Sequence, residues 1–262
     1  MPGKSRVAGN GCTPGELMVV AAAREIQDRA WVFVGMRLPL LAFLVARRTH
    51  APHAVGLYEN GLIRENPAPQ MLYTMADPPN QHGATLCGSM LDVMGLLQQG
   101  RVALGFLGAA QVDRYGNLNS TWGERQGSAV RLPGSGGACD IACLAQRTVI
   151  LLRHEPHRLV ERVRYRTSPG FGEGPGWRRR VGLPEGWGPS AIITTMAVLR
   201  FEGEGEAVLT SVHPGYTIEQ VRAATGWPLR LAPRVVETPE PTAEELSALR
   251  ALDPEGFWTA RT

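Results

Sequence analysis

The feature that narrows the fold most is an alternation, repeated down the first half of the chain, between short apolar runs and longer helical segments. Trp31-Val32-Phe33-Val34-Gly35, Ala54-Val55-Gly56-Leu57-Tyr58, 102–107 and 148–152 are apolar almost without interruption, as strands are when both faces of their sheet are covered. Between them, residues 15–30 (GELMVVAAAREIQDRA) predict an amphipathic helix, and 38–48, 87–99 and 138–146 predict three more. Such alternation gives an α/β fold: an open, mostly parallel, doubly wound sheet with helices on both faces. In sheets of this kind ligands gather beyond the carboxyl ends of the strands. The second half reads differently. A glycine- and proline-rich stretch, 168–190, precedes apolar runs at 191–201 and 206–212 and a helix from Thr217. Thr217 with Gln220, and Thr242 with Glu245, have capping-box spacing and set two late helix starts. With no internal repeat and no clean linker, residues 15–262 are expected to form one domain behind a flexible leader, 1–14.

Composition then removes whole classes of chemistry. The only lysine is Lys4, so 26 of the 27 lysines and arginines are arginine. Schiff-base, pyridoxal-phosphate and P-loop chemistry each need a lysine in the ordered core, and Lys4 lies in the polar leader. The cations are balanced by 24 acids, and no basic block exceeds Arg178-Arg179-Arg180, which argues against a nucleic-acid surface. The longest apolar run, 38–46, is far short of a membrane span and contains Pro39. Residues 1–15 lack a hydrophobic signal region, so a cytoplasmic location is expected. Four cysteines show neither CxxC nor zinc spacing, and Cys139 and Cys143 would share a helix face. The six histidines include no HExxH, so no metal is expected; His154 and His157 read as loop residues.

Three strand ends carry polar or glycine-rich residues. After the second apolar run comes Glu59-Asn60-Gly61. A carboxylate there is either a turn cap or an active-site group, and Asn-Gly is itself a hairpin signal. After the third comes GAAQVDRYGNLNST, 108–121. Gly108 and Ala109 would let a backbone or ligand approach closely, while Gln111, Asp113, Asn117 and Asn119 offer polar contacts or an Asx-type turn network. The third is Gly134-Ser135-Gly136-Gly137-Ala138 before a helix. Consecutive N–H groups there could receive an oxyanion without a charged side chain. It is neither a Walker loop nor a dinucleotide fingerprint, and no GxSxG elbow exists for a serine nucleophile.

Taken together, these segments resemble the β subunit of family I coenzyme A-transferases, in particular the glutaconate CoA-transferase β-subunit group. The resemblance rests on the E-x-G step at Glu59-Asn60-Gly61, GAAQVDRYGNLNST at 108–121, RLPGSGGACDIA at 131–142, RYRTSPG at 164–170 and HPGYTIEQVRAATGWPL at 213–229. It implies the CoA-transferase (NagB/RpiA-like) fold and a transfer of CoA from an acyl-CoA to a small carboxylic acid. The carboxylate nucleophile would be Glu59, which becomes a γ-glutamyl-CoA thioester. Gly137 and Ala138 would supply oxyanion N–H donors, and Asn60, Gly61, Gly108, Ala109, Gln111, Asp113, Asn117 and Asn119 would line the cleft. The resemblance further implies an α-type partner subunit, as a heterodimer or α2β2, and no permanently bound cofactor, since CoA enters as substrate. The alternatives are a CoA-thioester decarboxylase or hydrolase of the same fold, and a non-catalytic chain that completes its partner's cleft. The segment 64–82 departs from the family pattern and leaves the acyl group open. A dicarboxylic acyl group would need a cation, for which Arg64, Arg114, Arg131 or an arginine of the α-type partner are the candidates.

Overall fold

The computed structural model describes residues 11–261 except Met71 and Gln126. The first ten residues of the expected leader thus lie outside the described residues. The chain forms two compact units. One comprises residues up to Phe106 together with those from Pro239 onward; the other is Leu107–Thr238.

The first unit begins α1 (Pro14–Ala23), β1 (Trp31–Phe33), α2 (Leu38–Arg48), β2 (Val55–Tyr58) and β3 (Leu62–Arg64). It continues α3 (Pro78–Gln81), β4 (Leu86–Cys87), α4 (Met90–Gln98) and β5 (Leu104–Leu107). The strand order is β5-β1-β2-β3-β4. β1 pairs in parallel with β2 and β5, whereas β3 and β4 run antiparallel to their neighbours. The first three apolar runs are therefore the adjacent parallel strands. α2 packs Phe43 onto the sheet at Gly56, where a Cβ would fall 2.9 Å from the ring. The helix expected at 87–99 starts three residues late. Leu86 and Cys87 pair with β3 instead, and Ser89 opens α4 by a capping box with Asp92.

The second unit opens with β6 (Gln111–Asp113), β7 (Leu118–Asn119), β8 (Trp122–Arg125), β9 (Ser128–Arg131), α5 (Ala138–Leu144) and β10 (Arg147–Leu152). It ends β11 (Leu159–Val160), α6 (Trp177–Arg180), β12 (Gly188–Thr194), β13 (Ala197–Phe201), β14 (Ala207–Val212), α7 (Ile218–Ala223) and β15 (Arg230–Glu237). Its main strands lie in the order β15-β14-β13-β12-β10. β10 and β12 are parallel, as are β14 and β15, and β12-β13-β14 is an antiparallel meander. The apolar run at 191–201 is two strands rather than one. Thr194 reverses the chain, its hydroxyl accepting from the Ala197 N–H and donating to the Ala197 carbonyl, both at 3.0 Å. A smaller sheet, β11-β6-β7, and the hairpin β8–β9 complete the unit. No helix among the described residues is long and apolar enough to cross a membrane.

The chain returns to the first unit with α8 (Ala243–Leu252). The helix expected at 15–30 is shorter than its pattern, ending at Ala23, and Gly15–Ala23 is buried on every side rather than along one face. Beyond it, Arg29 adopts φ 63° and Asp28 accepts from the His53 N–H at 2.7 Å, which directs the chain away from the helix axis. α1 and α8 exchange charges reciprocally. Each starts with a capping box, Thr13–Glu16 and Thr242–Glu245. Arg24, the C-cap of α1, binds both oxygens of Glu245 at 2.8 and 2.7 Å. Arg250, in the last turn of α8, binds those of Glu16 at 2.8 and 3.3 Å. The two helices therefore lie antiparallel, each glutamate serving its own helix start and the other helix's end. Burial opposes ionisation of both glutamates, yet the arginine and N–H bonds hold both carboxyls below their usual range.

Two histidines are enclosed in the second unit. His154 lies in the loop after β10, as expected, but its ring is buried between the Thr194 and Thr225 hydroxyls, at 2.9 and 3.0 Å. His157, by contrast, is exposed. His213, of the HPG step, sits against the Thr238 hydroxyl at 2.9 Å and the Thr194 carbonyl at 2.8 Å. Burial lowers both imidazoles to about 4. Unfolded, each takes up a proton near the ordinary value of 6.5, so between these values the unfolded state holds more protons. Stability contributed by keeping them neutral is complete above pH 6.5 and declines as pH falls towards 4. Denaturant unfolding from pH 7 to pH 4.5 should show that loss, on the order of 3 kcal/mol per histidine. The His154→Gln and His213→Gln variants should show a shallower dependence.

Candidate functional site

At the carboxyl end of β2 the chain reverses through Tyr58-Glu59-Asn60-Gly61. The Tyr58 carbonyl accepts from the Gly61 N–H at 3.0 Å, and Tyr58 pairs with Leu62 across the turn. Glu59 and Asn60 are thus the central residues, and Gly61, at φ 100°, returns the chain into β3. Gly61 has a second constraint. Its carbonyl accepts from Gly88 N–H at 3.0 Å, and a Cβ on Gly61 would fall 2.5 Å from the Gly88 carbonyl oxygen. Glu59 is half-buried at this turn. Asn60 is oriented by its Nδ2, which donates to the Met75 carbonyl at 2.7 Å, while its buried Oδ1 has no partner. The Met75 carbonyl also accepts from Asn80 Nδ2 at 2.8 Å.

Arg64 explains how the segment after the hairpin is held. Its side chain is buried and donates to the carbonyls of Asn66, Pro67, Asn80 and His82. Those bonds commit the guanidinium to shaping 64–82, so it is not an available cation for substrate. Tyr73 of the same segment stacks edge-on against Phe257, with centroids 5.3 Å apart, and Phe257 against Trp258 at 4.6 Å.

In the second unit, the 108–121 segment proves to be internal scaffolding as much as surface. Asp113 and Asn117, expected to line a cleft, are both buried. Asp113 accepts from the N–H groups of Tyr115 and Asn117, and from Asn117 Nδ2 at 3.1 and 3.0 Å. Burial pushes the Asp113 carboxyl up despite these bonds. Asn117 also donates to the Gly172 carbonyl at 2.7 Å and accepts from the N–H groups of Gly170 and Gly172. Two segments that look independent in the sequence, 108–121 and 164–170, are therefore one buried network. Asn119 is buried too, bridging Gln111 and the Trp122 backbone. Gln111 is more open, as are Gly108 and Ala109. Arg114 is engaged by Glu161 and Glu206, at 3.5 Å each, and Arg131 lies over the Trp122 ring at 5.2 Å.

The glycine-rich loop hangs from this scaffold. Gly134 N–H donates to the Ser120 carbonyl at 2.9 Å, and the Ser120 hydroxyl donates back to the Gly134 carbonyl at 2.8 Å. Gly134 and Gly136 have φ of 97° and 49°, which requires glycine. The Ala138 N–H, expected to face an oxyanion, instead donates to the Ser135 carbonyl at 2.9 Å. Ser135 and Gly136 carry the N–H groups left without a bond among the described residues. Arg178, first of the basic block, fixes the far end of α5. It is buried and donates to the carbonyls of Ala142 and Cys143, at 3.2 and 2.7 Å, and of Gly170 at 3.2 Å. Nothing in the sequence separates it from its exposed neighbours. A hollow of about 530 Å³ nearby includes Gln111, Trp122, His157, Arg158, Arg162 and Arg164 in its lining.

The family profile for Coenzyme A transferase matches residues 16–224. The chain belongs to the coenzyme A transferase family. It is 44% identical over 240 residues to the β subunit of the 3-oxoadipate CoA-transferase of Pseudomonas knackmussii, covering 91% of this chain and 92% of that one. To the β subunit of the glutaconate CoA-transferase of Acidaminococcus fermentans it is 32% identical, covering 88% and 89%. The crystal structure of the Acidaminococcus fermentans glutaconate CoA-transferase aligns with a TM-score of 0.87 at 30% identity, over 95% of this chain and 97% of the other. A decarboxylase, AibA/AibB, aligns at 0.80 and 28% identity over 95% and 98%. Within this CoA-transferase chain, Gly61 meets both a positive φ and a backbone it nearly touches. Gly61→Ala should therefore lower stability by roughly 2 kcal/mol or more in denaturant titration, whereas Gly127→Ala, with open space around it, should have a smaller effect.

Proposed function

We propose that the chain is the β subunit of an acyl-CoA:carboxylate CoA-transferase and carries CoA as a γ-glutamyl thioester on Glu59. The observation that supports this most is a carboxylate at the apex of a hairpin rigidly held at the carboxyl end of parallel strands. Only a carboxylate suits the task, because the enzyme must hold CoA rather than the acyl group. Glu59 attacks the thioester carbonyl of the donor, and the collapsing adduct expels CoA thiolate, leaving an acyl-glutamyl anhydride. The thiolate then attacks the glutamyl carbonyl; the donor's acid departs and the glutamyl-CoA thioester remains. The acceptor carboxylate reverses both steps, so bonds and charges balance without ATP, water or a resident cofactor. Each tetrahedral intermediate carries an oxyanion, which a positioned N–H donor stabilises. One such donor contributes roughly 3 kcal/mol.

The β-subunit relatives support an α-type partner, with CoA transfer carried out by the assembled pair. Glutaconate and 3-oxoadipate, named in two of those relatives, each carry two carboxylates, which supports a dicarboxylic acyl-CoA. The likeness to a decarboxylase favours one second reading, in which acyl-CoA loses carbon dioxide on the same scaffold. Co-expressed with its α-type partner, the wild-type chain should exchange CoA between acids, and the chain alone should be inactive. Glu59→Ala should lower transfer by roughly 10³-fold or more without lowering thermal stability. Carbon dioxide release without an acceptor acid would favour decarboxylation, and an active Glu59→Ala would favour a non-catalytic chain.

A further inference from the structure

Arg37 stands in the loop between β1 and α2 with φ 68° and ψ −119°. Glycine enters that region freely, and a residue with a Cβ does so against steric resistance. Phe33 of β1 is in parallel register with Leu57 of β2, and the Val34 N–H donates to the Leu57 carbonyl at 2.9 Å. The loop bearing Arg37 and the turn bearing Glu59 consequently leave the same end of neighbouring strands. The Arg37 guanidinium rests over the Trp258 ring, 5.3 Å from its centroid. Among the described residues it has no carboxylate or other acceptor. Trp258 lies 6.3 Å from Tyr73, in the segment that follows the Glu59 hairpin, and its own buried Nε1–H has no acceptor either.

Several other arginines among the described residues of this unit are engaged or placed elsewhere. Arg64 is sealed by carbonyls, Arg24 and Arg250 hold Glu245 and Glu16, and Arg29, Arg47, Arg48 and Arg101, flanking the starts of β1, β2 and β5, sit at the strands' opposite ends. We infer that Arg37 binds the second carboxylate of a dicarboxylic acyl group and so makes the enzyme selective for dicarboxylic over monocarboxylic acids. The inference rests on the reading of Glu59 as the CoA carrier. When one carboxylate of such an acid is joined to CoA or to Glu59, the other remains an anion that the site must accommodate. A guanidinium held over an indole by its cation–π contact leaves N–H groups open for a paired, two-point contact with that carboxylate.

The test uses the chain assembled with its α-type partner, acetyl-CoA as donor, and two acceptors of equal length, glutarate and pentanoate. Arg37→Gly suits the backbone, and Arg37→Lys keeps a charge but not the planar fork. The expected result is a fall of about tenfold or more in the glutarate-to-pentanoate ratio of kcat/KM for Arg37→Gly, carried mainly by KM for glutarate, with a smaller fall for Arg37→Lys. An unchanged ratio in a variant that still forms the CoA adduct on Glu59 would overturn the inference and leave the Glu59 reading standing. An equal loss for both acceptors, with a raised KM for acetyl-CoA, would assign Arg37 to CoA and also overturn it. Absence of the adduct in the wild type would remove the reading of Glu59 and this inference with it.

Discussion

Backbone meets backbone at Gly61, where a left-handed φ and the approach of Gly88 leave no room for any side chain. From that contact the first unit's candidate site is built outward. The turn places Glu59 and Asn60 beyond the end of β2, and Asn60 ties the turn to Met75. Gly88 in turn precedes Ser89, whose capping box with Asp92 starts α4. The nucleophile candidate is thus fixed by main-chain geometry on one side and by a helix start on the other.

The interior makes comparable use of arginine. Arg64 and Arg178 are buried and are satisfied by carbonyl oxygens rather than carboxylates, Arg64 closing the 64–82 segment and Arg178 the C-terminal end of α5. A guanidinium carries five donors in a fixed fork, so a single side chain can gather several carbonyls that would otherwise be left unpaired in the interior. A lysine could not span the same set. The near-absence of lysine, which in the sequence reads as an exclusion of amine chemistry, is matched in the fold by structural work that suits arginine.

The parts of the fold legible in the sequence are those governed by local rules. The parallel strands announce themselves as unbroken apolar runs, α2 falls on its expected residues, and Thr217 and Thr242 cap the helices their spacing predicts. What the sequence conceals depends on distant partners. α1 ends early because Asp28 finds its partner in His53, and it is buried all round because α2 and, more than two hundred residues later, α8 pack on it. The split at Thr194 hinges on one hydroxyl that bonds both backbone groups of Ala197. His154 is a loop residue as its context predicts, but its burial between Thr194 and Thr225 depends on partners far along the chain. The E-x-G step and the glycine loop are each visible as motifs, but not which N–H groups stay open. Asp113 and Asn117 have the composition of a ligand site and serve as scaffolding, because polar residues that bind a ligand and polar residues that bind a backbone look alike until the partners are known.

The chemistry proposed for the site turns on CoA being carried covalently by Glu59. The most direct measurement is mass spectrometry of the chain, assembled with its α-type partner and exposed to acyl-CoA with no acceptor acid. The predicted result is a CoA-mass adduct on the peptide containing Glu59, discharged by an added carboxylic acid and trapped by hydroxylamine. Consumption of acyl-CoA with Glu59 unmodified throughout would contradict it.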